Sequence, residues 1–249
     1  MHYPSYSYPP SVVLGLAASV VLGGRRSFRG DGQACLARLE PPLHLLGREQ
    51  LPTGGPALVT FNHYYRPGFS AWWMALALAA VLPQEVHFVM TGELTYPGRW
   101  YAPLGQAGSR LLLRRLSRIY GFTTMPPMPP RPQDVAGRAR SVRAALAFAR
   151  AHPQALIGLA PEGGDQPGGV LTRPPSGAGR FAALLAQGRP VLPAGIFEQD
   201  GALCIHFGPA YRLQLPEGLA GDERERRAAG AVMAPIAALL PARLRGEFG

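Results

Sequence analysis

Short apolar runs at residues 57–61, 86–90, 155–160, 191–197 and 203–207 predict β-strands, and the segments between them change to helical spacing. Ser70 is placed to cap a helix over 71–82. Asp134 is placed to cap a second, in which Val135, Val142, Leu146 and Ala149 recur at helical intervals. A third starts at Asp222, with Ala229, Val232, Met233, Ile236, Leu239 and Leu240 on one face and Glu223, Arg224 and Arg227 opposite. Strands alternating with helices predict one α/β domain, a sheet core covered by helices. Residues 125–132 hold five prolines, which excludes a helix interior or a central strand and predicts a stiff connection.

The chain is long enough, at 249 residues, to bury a sizeable core, and 47% hydrophobic against 16% charged residues excludes a disordered chain. Net charge is +10, and all 25 basic residues are arginine. Without lysine, neither Schiff-base chemistry nor a P-loop can operate through its usual residue. The arginine fork suits phosphate oxygens, and the basic balance favours an anionic partner. Cys35 and Cys204 are the only cysteines, so neither a disulfide framework nor a structural zinc site is indicated, and a reduced cytosolic setting is expected.

Residues 11–24 form an apolar stretch ending at Arg25-Arg26, shorter than the roughly 20 residues that span a bilayer. An interfacial anchor and a helix packed on the domain both remain open. A cleaved signal is a third reading, although residues 1–10 lack its basic leading region. Residues 1–30 are therefore read as an N-terminal segment and 31–249 as the α/β domain.

Two strand ends carry candidate chemistry. Val59-Thr60-Phe61-Asn62-His63 delivers a histidine where an apolar strand stops, and a neutral imidazole suits general-base work near pH 7. Leu159-Ala160-Pro161-Glu162-Gly163-Gly164-Asp165 runs from a strand into a turn bearing carboxylates, where Glu162 can accept from substrate hydroxyls and Gly163 allows close approach. Taken singly, each fits an ordinary structural residue or turn.

Their order is more specific. Asn62-His63 resembles the start of the Asn-His-x4-Asp block of the lysophospholipid and glycerol-phosphate acyltransferases, and Pro161-Glu162-Gly163 resembles their Phe-Pro-Glu-Gly-Thr-Arg block. The segment 176–186, the strand at 190–196 and the ending at 240–246 are similar to later parts of that family, so the resemblance covers about residues 50–249. It implies a single α/β domain, a mixed β-sheet flanked by helices. It also implies transfer of an acyl chain from acyl-CoA or acyl carrier protein to a hydroxyl of a lysophospholipid or glycerol-phosphate acceptor. His63 and Asn62 would be the catalytic pair, with Glu162 and Gly163 lining the acceptor site and no metal or prosthetic group. The partners implied are the lipid acceptor, the acyl thioester and an anionic membrane surface, on the cytoplasmic inner face of the cell membrane.

The chain departs from that pattern at three places. Gly68 stands where the block has its aspartate, and no aspartate occurs between Asp31 and Asp134. The middle block, a glycine and phenylalanine leading to a phosphate-binding arginine, here runs from Gly121-Phe122 into proline, with Arg131 the nearest downstream arginine. The turn reads Glu162-Gly163-Gly164-Asp165, without the threonine. Arg66 and Arg99 are the alternative phosphate forks, each equally readable as a solvated arginine. Arg110, Arg114 and Arg118, beside Leu112, Leu113, Leu116 and Ile119, suit either an anionic bilayer or an ordinary wet face. Tyr64, Tyr65, Phe69, Trp72 and Trp73 suit an acyl tunnel, a lipid interface or the core.

A catalytically impaired lipid-binding or scaffold protein of the same fold is the alternative function. Gly177-x-Gly179-x-x-Ala182 lacks the lead-in strand of a dinucleotide site, no Gly-x-Ser-x-Gly elbow exists, and nothing beyond charge suggests nucleic acid, which is not expected as a partner.

Overall fold

The computed structural model describes residues 3–96 and 98–249. Seven strands, β1 (His44–Leu46), β2 (Ala57–Phe61), β3 (Val86–Thr91), β4 (Thr123–Met125), β5 (Leu156–Leu159), β6 (Val191–Gln199) and β7 (Ala202–Phe207), form one mixed sheet. Its order is β1-β7-β6-β2-β5-β3-β4. Strands β6, β2, β5, β3 and β4 run parallel, β7 is antiparallel to β6, and β1 is parallel to β7. Every residue of β2 and β5 is buried, as expected for central parallel strands covered on both faces. The β6–β7 hairpin closes on Asp200-Gly201, both at positive φ, the backbone that a two-residue turn requires. All five expected strands are present. The short strands β1 and β4 were not expected, because three residues show no period.

Among the described residues seven helices flank the sheet: α1 (Pro10–Leu22), α2 (Phe28–Leu36), α3 (Trp72–Val81), α4 (Ala102–Tyr120), α5 (Val135–Ala151), α6 (Ala178–Leu185) and α7 (Gly221–Ala238). The caps differ from expectation. Ala71, not Ser70, precedes α3 and no side chain caps it; the first turn is closed by main-chain bonds from Trp73 and Met74 to the Ser70 and Ala71 carbonyls. Asp134 precedes α5 but gives its carboxylate to Arg131 instead of the helix amides.

Helix α2 escaped the sequence reading because its Phe-Arg-Gly-Asp-Gly-Gln start shows little apolar periodicity. Ser27 caps it, accepting from Gly30 N at 2.8 Å. Phe28 enters an aromatic nest of Trp72, Phe88, Tyr120 and Phe122. A Cβ on Gly32 would stand 2.5 Å from the Leu76 carbonyl oxygen, so α2 crosses α3 at backbone contact. The division at residue 30 falls inside this helix. Trp72 and Trp73 belong to the same packing, Trp73 being buried beneath Tyr6 and Tyr8 of the N-terminal segment.

Helix α1 buries only Val12 and leaves Leu14, Val21 and Leu22 outside, Leu22 at 83% exposure. Among the described residues no helix is long and apolar enough to cross a membrane. On α4, Leu113, Leu116 and Ile119 are buried while Leu104, Leu111 and Leu112 are exposed. The expected basic stripe is broken: Arg110 turns to the buried Glu93, which also takes Arg131 at 3.2 Å.

The Gly177-x-Gly179 segment has a structural explanation. Glu225 of α7 accepts from Gly177 N and Gly179 N, each at 2.9 Å, and from Arg180 N at 2.7 Å, so its carboxylate occupies the α6 N-terminus. A Cβ on Gly179 would lie 2.5 Å from Ala229 N, which fixes glycine at this helix crossing. Glu225→Ala is expected to cost about 1–2 kcal/mol by loss of the cap, measured by urea unfolding, with Glu225→Gln intermediate.

His87 is buried on β3, 2.9 Å from Thr123 Oγ1 through Nε2 and stacked 3.5 Å from the Phe148 ring. Burial pushes its imidazole down to about 4. The unfolded chain therefore binds a proton below about pH 6.5 that the native state refuses, so this contribution to stability falls as pH drops from about 6.5 to 4. Unfolding titrations should show up to about 3 kcal/mol of pH-dependent loss in that window, reduced in His87→Gln.

Candidate active site

The parallel strands bring the loops after β2 and β5 together, because β2 and β5 are neighbours with Thr60 opposite Leu159. Asn62 follows β2, is buried, and clamps β6: its Nδ2 donates to the Ile196 carbonyl at 2.8 Å and its Oδ1 accepts from Ile196 N at 2.7 Å. Asn62, expected beside His63 in the catalytic pair, thus ties the strand end that presents His63 to β6.

Glu162 is likewise engaged within the protein. One carboxylate oxygen accepts from His63 N at 2.7 Å, the other from Thr172 N at 2.9 Å and Thr172 Oγ1 at 3.4 Å. Burial raises its pKa, opposed by these donors. These bonds make Glu162 a brace that ties the His63 loop to the loop after β5. Gly163 turns the chain at φ +74°, and a Cβ there would stand 3.0 Å from Met128 Cγ, so the proline-rich segment lies against this turn.

The same turn reaches the ring of His63. Asp165 Oδ1 lies 3.0 Å from His63 Nδ1, with the imidazole 19% and the carboxylate 52% exposed. The contact lacks hydrogen-bond alignment, and solvent-shielded Nδ1 has no other partner among the described residues. Asp165 was legible in the turn motif, but nothing in one sequence shows that loops 100 residues apart meet.

Arg66 also differs from a free phosphate fork. Its Nε and Nη2 grip the buried Glu198 at the end of β6, and its Nη1 donates to the Pro67 carbonyl. Glu198 accepts as well from Tyr6 Oη at 2.7 Å and Tyr64 Oη at 3.0 Å, while the Arg66 guanidinium lies 3.8 Å above the Tyr3 ring. Burial and the neighbouring carboxylate raise both Tyr6 and Tyr64, keeping their hydroxyls protonated as donors. The cluster joins N-terminal segment, His63 loop and β6, and a charged residue closing an apolar strand was its one sequence signal. Arg131 is held by Glu93 and Asp134, and Arg99 lies exposed between β3 and α4.

Gly68 adopts φ +80°, and beyond its chain neighbours the nearest atom to a Cβ there, among the described residues, is Arg66 Nη1 at 3.6 Å. An open cavity of about 630 Å³ adjoins the loop on the β6 side, walled by Tyr64, Tyr65, Arg66, Glu198, Asp200 and Arg243. Tyr64 and Phe69 are buried against each other, edge to face at 5.2 Å, and so serve the core. Among the described residues no group of three or more His, Cys, Asp or Glu side chains is placed to hold a metal ion.

The class defined so far is an α/β protein whose histidine and carboxylate meet across two adjoining loops at the ends of parallel strands. No protein-family model matches the chain, and no curated protein matches its sequence. A solved structure similar to it is the 1-acyl-sn-glycerophosphate (LPA) acyltransferase PlsC from Thermotoga maritima, 13% identical, covering 85% of this chain and 78% of that chain with a TM-score of 0.49.

Proposed function

We propose that the protein is an O-acyltransferase that moves an acyl chain from a thioester, acyl-CoA or acyl carrier protein, to a hydroxyl of a lysophospholipid or glycerol-phosphate acceptor. The observation that carries this reading is His63, held at the end of β2 by Asn62 and Glu162 with a carboxylate beside its ring. The order of the sequence blocks supports it. His63 Nε2 takes the acceptor O–H proton, and the oxygen attacks the thioester carbonyl. The C–O bond forms, the C–S bond breaks, and the departing thiolate recovers the proton. Main-chain amides at the sheet edge stabilise the tetrahedral oxyanion.

The acceptor's phosphate calls for an arginine. Arg99 is exposed, whereas Arg66 would have to leave Glu198 to serve. The bilayer face of this reading is α1 with α4. Leu14, Val21, Leu22, Leu104, Leu111 and Leu112 are exposed there, and Arg25, Arg115 and Arg118 line the cleft between the helices. Exposed leucines with interspersed arginines suit peripheral attachment to the anionic inner face of the cell membrane.

The test supplies purified protein with labelled acyl-CoA or acyl carrier protein and with glycerol 3-phosphate or lysophosphatidate on vesicles containing phosphatidylglycerol. Ester product is expected, together with salt-sensitive flotation. Absence of product with every donor and acceptor pair overturns the enzyme reading. Gly68, at the expected acid position, favours the alternative of a lipid-binding or scaffold protein, which flotation without transfer would support.

A further inference from the structure

We infer that Asp165 is the positioning residue for His63, an acid supplied by the loop after β5 in place of one on His63's own loop; this rests on the proposed role of His63 as base. Three observations carry it. Asp165 Oδ1 stands 3.0 Å from Nδ1, a shielded nitrogen with no other partner among the described residues. Glu162, three residues earlier, takes the His63 main-chain N–H at 2.7 Å, so one turn binds the backbone of His63 and places a carboxylate beside its ring. Gly68 cannot serve: it has no carboxylate, and a side chain grown from it would meet Arg66.

The chemistry asks for an acid at this nitrogen. A carboxylate accepting from Nδ1–H keeps the proton there, leaves the Nε2 lone pair free for the acceptor hydroxyl, and stabilises the imidazolium that forms when Nε2 takes its proton. The proton then passes from Nε2 to the departing thiolate. Because the carboxylate is half exposed, water screens it, and its loss should cost less than the ~10⁴ of a buried triad acid.

The experiment compares native protein, Asp165→Ala, Asp165→Glu and Gly68→Asp by imidazole ¹⁵N NMR and by acyl transfer, the His63 signal being assigned from its loss in His63→Gln. Native His63 is expected to carry its proton on Nδ1, and Asp165→Ala to move it towards Nε2 with about 10²-fold slower transfer. Asp165→Glu should recover part of both. Gly68→Asp should recover neither when combined with Asp165→Ala, since the new carboxylate would sit beside Arg66. An unchanged tautomer in Asp165→Ala, or a rate within twofold of an active native protein, overturns the inference. A tautomer change in a protein that transfers no acyl chain upholds the positioning contact and overturns the proposed function alone. Active native protein with an Asp165-independent tautomer does the reverse.

Discussion

Replacing His63 with alanine is expected to lower acyl transfer by about 10²–10⁴-fold while leaving the fold intact, the range contributed by a positioned general base. The asymmetry follows from how the residue is held. Its main-chain N–H, which any residue except proline supplies, donates to Glu162, whereas its ring touches a carboxylate more than half exposed to water. Alanine therefore keeps the brace between the β2 and β5 loops and loses only the imidazole. Far-UV circular dichroism and the urea midpoint should match the native protein, and the turnover number should fall at saturating donor and acceptor. A variant retaining native turnover would remove His63 from the chemistry, and with it the proposed mechanism.

Glu198→Ala is expected to be the most destabilising single substitution near the site, by about 3–5 kcal/mol. The carboxylate is 4% exposed and answers the Arg66 guanidinium and the hydroxyls of Tyr6 and Tyr64. Its removal strands one positive charge and two donors in a largely buried place, where unmet groups incur their full desolvation penalty. Glu198→Gln, which retains acceptor oxygen without charge, should cost less. Replacing both partners, Arg66→Met with Glu198→Leu, should restore much of the loss, because two apolar groups leave nothing unpaired. Urea unfolding followed by tryptophan fluorescence reads all three, since Trp73 packs against Tyr6 of the same N-terminal segment. A loss in Glu198→Ala below about 1 kcal/mol would mean that water already screens the cluster. Acyl transfer should fall in Glu198→Ala even under conditions where the protein remains folded, because Arg66 and Tyr64 belong to the loop that carries His63.

The residues of the candidate site were legible to different degrees, for identifiable reasons. His63 and Glu162 stand at the ends of apolar runs, and a buried strand that stops abruptly marks where the chain reaches the sheet edge. Their roles were less legible. Glu162 was read as lining the acceptor site, and its bond to the His63 amide was not foreseen, since a carboxylate's partners depend on which donors the fold brings within about 3 Å. Arg66 was readable as a phosphate fork because its neighbours along the chain offer no acid. Glu198, its partner, lies 132 residues away on the adjoining strand β6.

What the sequence by itself determined is local: five strands from continuous apolar runs, the main helices from their spacing, and a histidine delivered by a strand end. These depend on covalent geometry and periodic burial, which act over a few residues. Only the tertiary structure decided the strand order that sets β2 beside β5, the spending of Asn62, Glu162 and Arg66 on bracing, and the arrival of Asp165 at the His63 ring. Hydrogen bonds and ion pairs are selective in distance and direction, so their partners are settled where the folded chain crosses itself, and neither residue of a distant pair announces the other.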